Sequence, residues 1–362
     1  MFPGVGLLMH ERYNGMNLWH AVFHYLPSIR MLQLFAERLQ PRDAGSQSRQ
    51  TERAQLVRIH DAAPKKAPWI AYSGQGNWTD EFYQLLPKFA QSLLVGDAAY
   101  VEVDKEAVQI RNPACYESVV AGHPPLFEWE RRKAVRTRLT SSGGELPDSI
   151  EAYGPRDYDL MRAGVFELFG LRERSANLVQ RMVVNHRNLA DRRAFTNADG
   201  VFEVLSALGQ SKGWQTESST FVPGKTMAQQ LTSYSKADIV VAAHGQGLAW
   251  NFFLPPGSIV VEILPSTGKE NSDSCRGLST YTNLNFAKAH FTGVMHFCFM
   301  HTAVVPEGEL NSNWREHNIE VDTELLARQV SYAIKVTEEA RQADCLYPCK
   351  RCANWSPNAV VA

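Results

Sequence analysis

The chain has 362 residues, of which 44% are hydrophobic and 21% charged, and its formal net charge is −1 at pH 7. That length exceeds what one hydrophobic core usually supports, so it predicts two domains. The charge gives no electrostatic basis for binding nucleic acid or an anionic membrane. No apolar run approaches the ~20 residues that span a bilayer. Residues 1–9 are too short and uncharged for a signal peptide, which leaves a cytosolic protein or a chain without its true start.

The first half of the chain predicts alternating helices and strands. Apolar residues recur at spacings of three and four over residues 17–39, which predicts a helix. A polar loop follows over residues 40–53. Residues 67–73 and 98–103 are strand candidates with a helix over 80–94 between them, and residues 141–155 are the segment least typical of regular structure.

The second half continues the same alternation. We predict strands over residues 177–184 and 214–221 and helices over 199–213 and 226–235. Strands that alternate with helices favour a parallel sheet and therefore an α/β fold. The predicted division is an N-terminal lobe over residues 1–175, a C-terminal lobe over 176–340 and a cysteine-containing tail over 341–362.

The most informative stretch of the chain runs from residue 237 to residue 265. Residues 239–243 form an apolar run long enough for one buried strand, which stops at His244-Gly245-Gln246-Gly247. A short helix over 248–254 and a second strand over 258–264 follow, with Glu262 near the end of that strand. Because glycine turns expose backbone N–H groups and helix N-termini attract anions, this unit favours a phosphate ligand. His244 and Glu262 are expected at the carboxyl ends of strands, where such sheets bind ligands.

Cysteines and glycosylation triplets bear on the compartment. The tail carries Cys345, Cys349 and Cys352, a spacing known from radical-SAM clusters, but too little chain follows for a barrel. No fourth ligand for zinc lies nearby, so a terminal disulfide or unpaired thiols is the simpler interpretation. Asn77 and Asn354 begin N-glycosylation acceptor triplets, which favour a secretory lumen without proving it.

An ordered series of motifs resembles glycosyltransferase family 61. The series consists of Asn17 to His20, Cys115-Tyr116 with Gly122, Val183 to Arg187, Arg192-Arg193, Asn197, Met227 to Gln230, Ala237-Asp238, His244 to Leu248, Phe253 to Ser258 and Val261-Glu262. It spans roughly residues 10–340, and its order is more specific than any single motif. The stretches around Asn17, Tyr72 to Tyr83 and His244 look closest to the protein O-mannose N-acetylglucosaminyltransferase branch.

This resemblance implies a GT-B fold, in which two Rossmann-like lobes with parallel sheets face a central cleft. It further implies inverting transfer of GlcNAc, xylose or arabinose from a UDP-sugar, held in the C-terminal lobe, to a glycan or glycoprotein acceptor. Relatives work in the ER or Golgi behind an N-terminal membrane anchor, which this chain does not show. Neither a cofactor nor a metal is expected.

The chemistry of such a transfer assigns roles to several residues. The leaving diphosphate gains negative charge, so a site without a metal must supply fixed positive charge and N–H donors. Arg187 and Arg193 bracket a loop just after a strand and suit bidentate phosphate contacts. The turn Gly245-Gln246-Gly247-Leu248 can add backbone donors, and His244 can donate to a phosphate or sugar oxygen. Glu262 is placed to accept hydrogen bonds from ribose hydroxyls.

This chain departs from the family motif at the residue expected to remove the acceptor proton. The motif usually carries an acid four positions beyond its histidine, where this chain has His24. His24, His20 or a carboxylate from elsewhere is therefore the candidate base, and Asn17 is expected on the acceptor side. Gln246 replaces the usual Ala, and His186 the usual Ser.

Other interpretations of the same residues remain open. Arg187 and Arg193 could form surface ion pairs, His244 could be a satisfied loop histidine, and Glu262 could be structural. An esterase would need a G-x-S-x-G downstream of the His244 turn, and none occurs after residue 244. A dinucleotide oxidoreductase would need a third glycine near Asn251, and there is none. A relative that binds nucleotide-sugar or glycan but has lost catalysis is the most serious alternative.

Overall fold

The structure is a computed structural model. It describes residues 2–11, 54–60, 99–104 and 116–122, and then most of residues 159–342. Within that last range, residues 172–178, 221–226, 267–292 and 306–316 and single positions among 160–168 and at 190–191 lie outside the description. The chain divides into one unit of residues 1–130 with 159–170 and a second of residues 131–158 with 171–362.

Within residues 1–130 of the first unit, the structure describes a four-stranded parallel sheet. Its strands are β1 (Phe2–Glu11), β2 (Ala54–His60), β3 (Ala99–Asp104) and β4 (Tyr116–Gly122). They lie in the order β3-β2-β1-β4, and every neighbouring pair is parallel. The predicted strand over 98–103 is confirmed as β3, whereas β1, β2 and β4 were not predicted from the sequence.

The second unit contains the elements on which the candidate site is built. In chain order they are β5 (Arg181–His186), α1 (Ala198–Ser211), β6 (Gln215–Thr220), α2 (Met227–Tyr234), β7 (Ile239–Ala243), a 3-10 helix (Gln246–Phe253), β8 (Ile259–Ser266), β9 (Met295–Val304), β10 (Asn318–Glu320) and α3 (Thr323–Gln342). The strand order is β10-β9-β8-β7-β5-β6. Only the β9–β10 pair is antiparallel.

Alternate residues of these strands face the two long helices. One core joins α1 and α3 to alternate residues of four strands, which are Met182 and Val184 of β5, Ile239 and Val241 of β7, Ile259, Val261 and Ile263 of β8, and Phe297 and Phe299 of β9. Successive side chains of a strand point to opposite faces, so the even-numbered residues of β8 and β9, which include Glu262 and His296, point to the other face. All five residues of β7 are buried, as expected for a central strand of a sheet covered on both faces.

Most of the elements predicted for the second half are confirmed, with shifted ends. β5 begins later than the predicted residue 177, while α1, β6, α2 and β7 lie within a few residues of their predicted ranges. The helix predicted over 248–254 is a 3-10 helix beginning at Gln246. β8 continues to Ser266, so Glu262 lies in mid-strand opposite Ala242, and its predicted place near the strand end was wrong.

Several predictions cannot be compared with the structure. The helices over 17–39 and 80–94, the strand over 67–73 and the cysteine tail lie outside the described residues. The domain boundaries at 175/176 and 340/341 stay predictions. Among the residues that are described, no helix is long and apolar enough to cross a membrane.

Candidate functional site

The site lies at the point where the strand order of the second sheet reverses. The chain goes from β5 outward to β6 and then returns to place β7 on the other side of β5. β5 and β7 are parallel neighbours, so their carboxyl ends lie side by side. Arg187 directly follows β5 and His244 directly follows β7. In doubly wound sheets a crevice opens at such a switch point because the flanking connections leave on opposite faces.

Gly245 lets the Arg187 guanidinium lie against the turn backbone. Gly245 has a φ of 152°, which residues with a Cβ rarely adopt. A Cβ at this position would lie only 1.9 Å from Arg187 Nη2. Arg187 Nη1 also donates to the Arg192 carbonyl over 3.1 Å. The first glycine of the turn therefore provides the space that the arginine occupies, and the sequence-predicted residues Arg187, His244 and Gly245 meet at one place.

Gly247 provides a second close approach, to the last buried residue of β5. A Cβ there would lie 3.0 Å from Asn185 Nδ2. That amide nitrogen donates to the Tyr234 hydroxyl at the end of α2, and the Tyr234 ring packs on Trp250 with 6.0 Å between ring centroids. Burial raises the pKa of the Tyr234 hydroxyl, and the hydrogen bond from Asn185 only partly opposes this. The turn thus rests on a buried support formed by β5, α2 and the 3-10 helix.

The turn's own backbone limits which N–H groups can serve an anion. The His244 N–H donates to the Ile263 carbonyl over 2.8 Å, and the Leu248 N–H donates to the Gly245 carbonyl over 3.1 Å. Leu248 is fully buried and closes the turn, so its amide is not the anion donor that was expected. The N–H groups at positions 245–247 precede the first bond of the 3-10 helix and have no intrahelical acceptor by geometry. The Gln246 side chain lies outside the description.

A buried carboxylate joins His244 to a second histidine. Glu262 is completely buried, and its Oε1 is hydrogen-bonded to His244 Nδ1. Its Oε2 lies 2.7 Å from His296 Nε2 on β9. His296 pairs with Val260 in register, so both histidines approach the carboxylate diagonally from the strands that flank β8. Glu262, expected to face ribose hydroxyls, instead has both oxygens engaged by imidazole nitrogens.

The protonation of Glu262 fixes the hydrogen-bond directions. Burial alone would raise the pKa of this carboxyl, but the charge and hydrogen bond of His244, together with those of His296, outweigh it and lower the pKa to about 2. A carboxylate only accepts hydrogen bonds, so both imidazole nitrogens that face it carry a proton.

Within the described residues no three acidic, histidine or cysteine side chains are arranged to hold a metal ion.

The loop between β5 and α1 carries the second arginine and is fixed at its far end. Arg193 has a left-handed backbone, with a φ of 63°. Asn197 Nδ2 donates to the Val321 carbonyl over 2.7 Å, and its Oδ1 accepts from the Val321 N–H over 3.1 Å. Asn197, part of the motif series, therefore ties this loop to the chain just after β10. The phosphate contact expected of Arg193 stays a prediction.

The remaining predicted residues lie outside the described part of the chain. These are the acceptor-side and catalytic candidates Asn17, His20 and His24 and the glycosylation candidates Asn77 and Asn354. Cys298 on β9 is disulfide-bonded, and no other cysteine belongs to the described residues.

Sequence reasoning missed His296, Asn185 and Tyr234. His296 lies in a strand that was not predicted, and its contact with Glu262 spans 34 positions. Asn185 was part of the quoted motif without a role. Asn185 and His296 are polar residues inside largely apolar segments, a signal that indicates a required buried partner.

The fold and site define a doubly wound α/β protein with a glycine turn, an arginine and a buried histidine at its switch point. The sequence model of the family described as Glycosyltransferase 61 matches residues 18–261, more than half of the chain. The chain belongs to glycosyltransferase family 61. The match includes Arg187, Arg193 and His244 and ends one residue before Glu262.

Comparisons with individual proteins add little. No curated protein matches the chain. A crystal structure titled as the complex of SsGBP and GDP is similar over 92% of this chain and 99% of its own, at 10% sequence identity and a TM-score of 0.25. A similarity that weak supports no argument about fold or ligand.

Proposed function

We propose that the protein is an inverting glycosyltransferase that moves a sugar from a UDP-sugar to a glycan or glycoprotein acceptor. Family membership supports glycosyltransferase activity. The single observation that carries the donor assignment is the meeting of Arg187, the Gly245 turn and His244 at the switch point of a parallel sheet. A parallel sheet in one unit and a sheet with one antiparallel edge strand in the other suit a GT-B architecture.

In this proposal the switch point holds the diphosphate of the donor. The Arg187 guanidinium offers two parallel N–H donors, which match two phosphate oxygens. The N–H groups at positions 245–247 point from the start of the 3-10 helix and contribute its positive end. Arg193, from the same loop as Arg187, adds a second guanidinium. These fixed charges replace a metal ion, so transfer is expected without one.

The transfer needs stabilisation of the leaving group and a base. The bond between the anomeric carbon and the β-phosphate oxygen breaks, and its electron pair stays on UDP, where Arg187 and His244 offset the new charge. The acceptor hydroxyl oxygen forms the new bond at the opposite face of the sugar and loses its proton to His24 or His20. Asn17 would lie beside the acceptor. The donor sugar is GlcNAc, xylose or arabinose, and GlcNAc is favoured by the likeness to the O-mannose branch.

One feature favours a second candidate function. His24 stands where the family motif carries an acid. If neither His24 nor His20 can accept the proton, the protein would bind nucleotide-sugar and glycan without transferring the sugar. The donor-side residues would be the same in both cases.

The proposed location is the lumen of the ER or Golgi. The disulfide at Cys298 supports an oxidising compartment, and glycans at Asn77 and Asn354 would be compatible with it. The expected partners are a nucleotide-sugar and a glycan or glycoprotein, and not nucleic acid.

A donor screen tests the proposal. Purified protein is incubated with UDP-GlcNAc, UDP-xylose or UDP-arabinose, with and without EDTA, and released UDP is measured. One donor should be hydrolysed or transferred equally well in EDTA. UDP binding without turnover of any donor would support the binding-only alternative, whereas neither binding nor turnover would refute both.

A further inference from the structure

The buried unit formed by His244, Glu262 and His296 differs from an ordinary structural ion pair. Its carboxylate is 0% exposed and its two oxygens are divided between histidines of two neighbouring strands. Burying a charge costs several kcal/mol unless its partners satisfy it. The chain maintains this arrangement directly beneath the turn against which Arg187 lies. A histidine that only filled a loop would not require a dedicated carboxylate.

We propose that Glu262, braced by His296, is a positioning residue that orients His244 and presents its Nε2 to the donor diphosphate. This inference rests on the proposed function and names the residues that prepare its site. Since Glu262 accepts at both oxygens, His244 carries a proton on Nδ1 and directs Nε2 away from the carboxylate. His296 holds the second oxygen and prevents the carboxylate from turning away from His244.

The same arrangement places the His244 ring next to Arg187. Glu262 of β8 contacts the His244 ring, His296 of β9 holds the other oxygen of that carboxylate, and Arg187 lies against Gly245, the residue after His244. Loss of the Glu262 carboxylate should therefore remove the orientation of the His244 ring and weaken UDP binding.

The first experiment reads the imidazole tautomers in the whole protein without a ligand. Long-range ¹H–¹⁵N spectra distinguish a protonated ring nitrogen from one with a lone pair, and His244→Gln and His296→Gln assign the two rings. The neutral rings should carry their protons on His244 Nδ1 and His296 Nε2. A His244 ring protonated only on Nε2 would overturn the positioning. This measurement needs no variant of Glu262 to fold.

The second experiment measures UDP binding by calorimetry. Glu262→Gln should bind UDP about tenfold to hundredfold more weakly than the wild-type protein. The matched control is Gln329→Leu, which removes the partner of another buried histidine, His301, 3.0 Å away. It should lower stability but leave UDP affinity unchanged.

The outcomes separate this inference from the proposed function. A folded Glu262→Gln protein with wild-type UDP affinity would overturn the positioning role while the donor site stands. The expected tautomers without any UDP binding would support the positioning of His244 and refute the donor site. Weaker UDP binding in Glu262→Gln, but not in Gln329→Leu, would support both.

Discussion

Replacement of Gly245 by alanine tests whether Arg187 must lie against the turn. The new Cβ would be placed 1.9 Å from Arg187 Nη2, which is far shorter than a non-bonded contact between two heavy atoms. Either the guanidinium or the turn has to move. In addition, the φ of 152° costs about 1–3 kcal/mol for a residue with a Cβ. We expect Gly245→Ala to lose that amount of stability and, because one charge-assisted contact contributes about 1.5–3 kcal/mol, to bind UDP roughly tenfold to hundredfold more weakly.

The matched control separates backbone strain from displacement of the arginine. Gly213, just past the end of α1, has a φ of 71°, and a Cβ there would meet nothing within 4 Å. Gly213→Ala should therefore lose comparable stability in chemical denaturation and bind UDP like the wild-type protein. In the double variant Gly245→Ala/Arg187→Ala the clash disappears, so the alanine at position 245 should cost only the backbone strain when it is added to Arg187→Ala.

Calorimetric titration with UDP, beside urea denaturation of the same samples, provides both quantities. A Gly245→Ala protein that bound UDP as tightly as the wild-type protein would refute the contact between Arg187 and the diphosphate. An equal loss of UDP affinity in Gly213→Ala would contradict it as well, since strain alone would then explain the effect.

Three further predictions concern stability. The pKa of the Glu262 carboxyl is lowered from 4.5 to about 2, so the carboxylate contributes about 3 kcal/mol to the free energy of unfolding above pH 4.5, and this contribution is lost as the pH falls toward 2. Acid titration followed by circular dichroism should show a smaller loss of stability over this range in Glu262→Gln. An identical profile would contradict the lowered pKa of Glu262. Burial lowers the pKa of the His301 imidazole, which accepts a hydrogen bond from the Asp322 N–H at the start of α3. The free energy of unfolding should therefore fall as the pH drops below about 6.5. Urea denaturation of His301→Gln should show a smaller fall. Asn197→Ala removes both hydrogen bonds to Val321 and should lower the free energy of unfolding by about 1–3 kcal/mol. Amide exchange over residues 192–197 should become faster. Unchanged exchange would show that Asn197 does not hold this loop in place.

The β5-to-β8 region could be predicted from the sequence because its signals are local. Five apolar residues predict strand β7, and the glycines that follow predict a turn. The two prolines after the 3-10 helix predict its end. The expectation that Arg187, Gly245 and His244 meet follows from parallel strands placing their ends at one edge. It required only that β5 and β7 be neighbours, which the alternation of strands and helices predicts but does not guarantee.

The partners of Glu262 could not be predicted, because they depend on register. Glu262 was expected near the end of a strand predicted over residues 258–264, yet β8 continues to Ser266. Its second histidine lies on β9, after a long stretch without a readable pattern. Only the pairing of Val260 with His296 brings that ring within reach of the carboxylate. β9 was not predicted as a strand, so the neighbour of β8 in the sheet could not be named.

A crystal structure of the protein soaked with UDP tests the central claim most directly. We predict a diphosphate at the carboxyl ends of β5 and β7, within hydrogen-bonding distance of the Arg187 guanidinium and of the backbone N–H groups at positions 245–247, with His244 Nε2 facing a phosphate oxygen. A diphosphate bound at any other edge of the sheet, with Arg187 and His244 making no contact to it, would contradict the account.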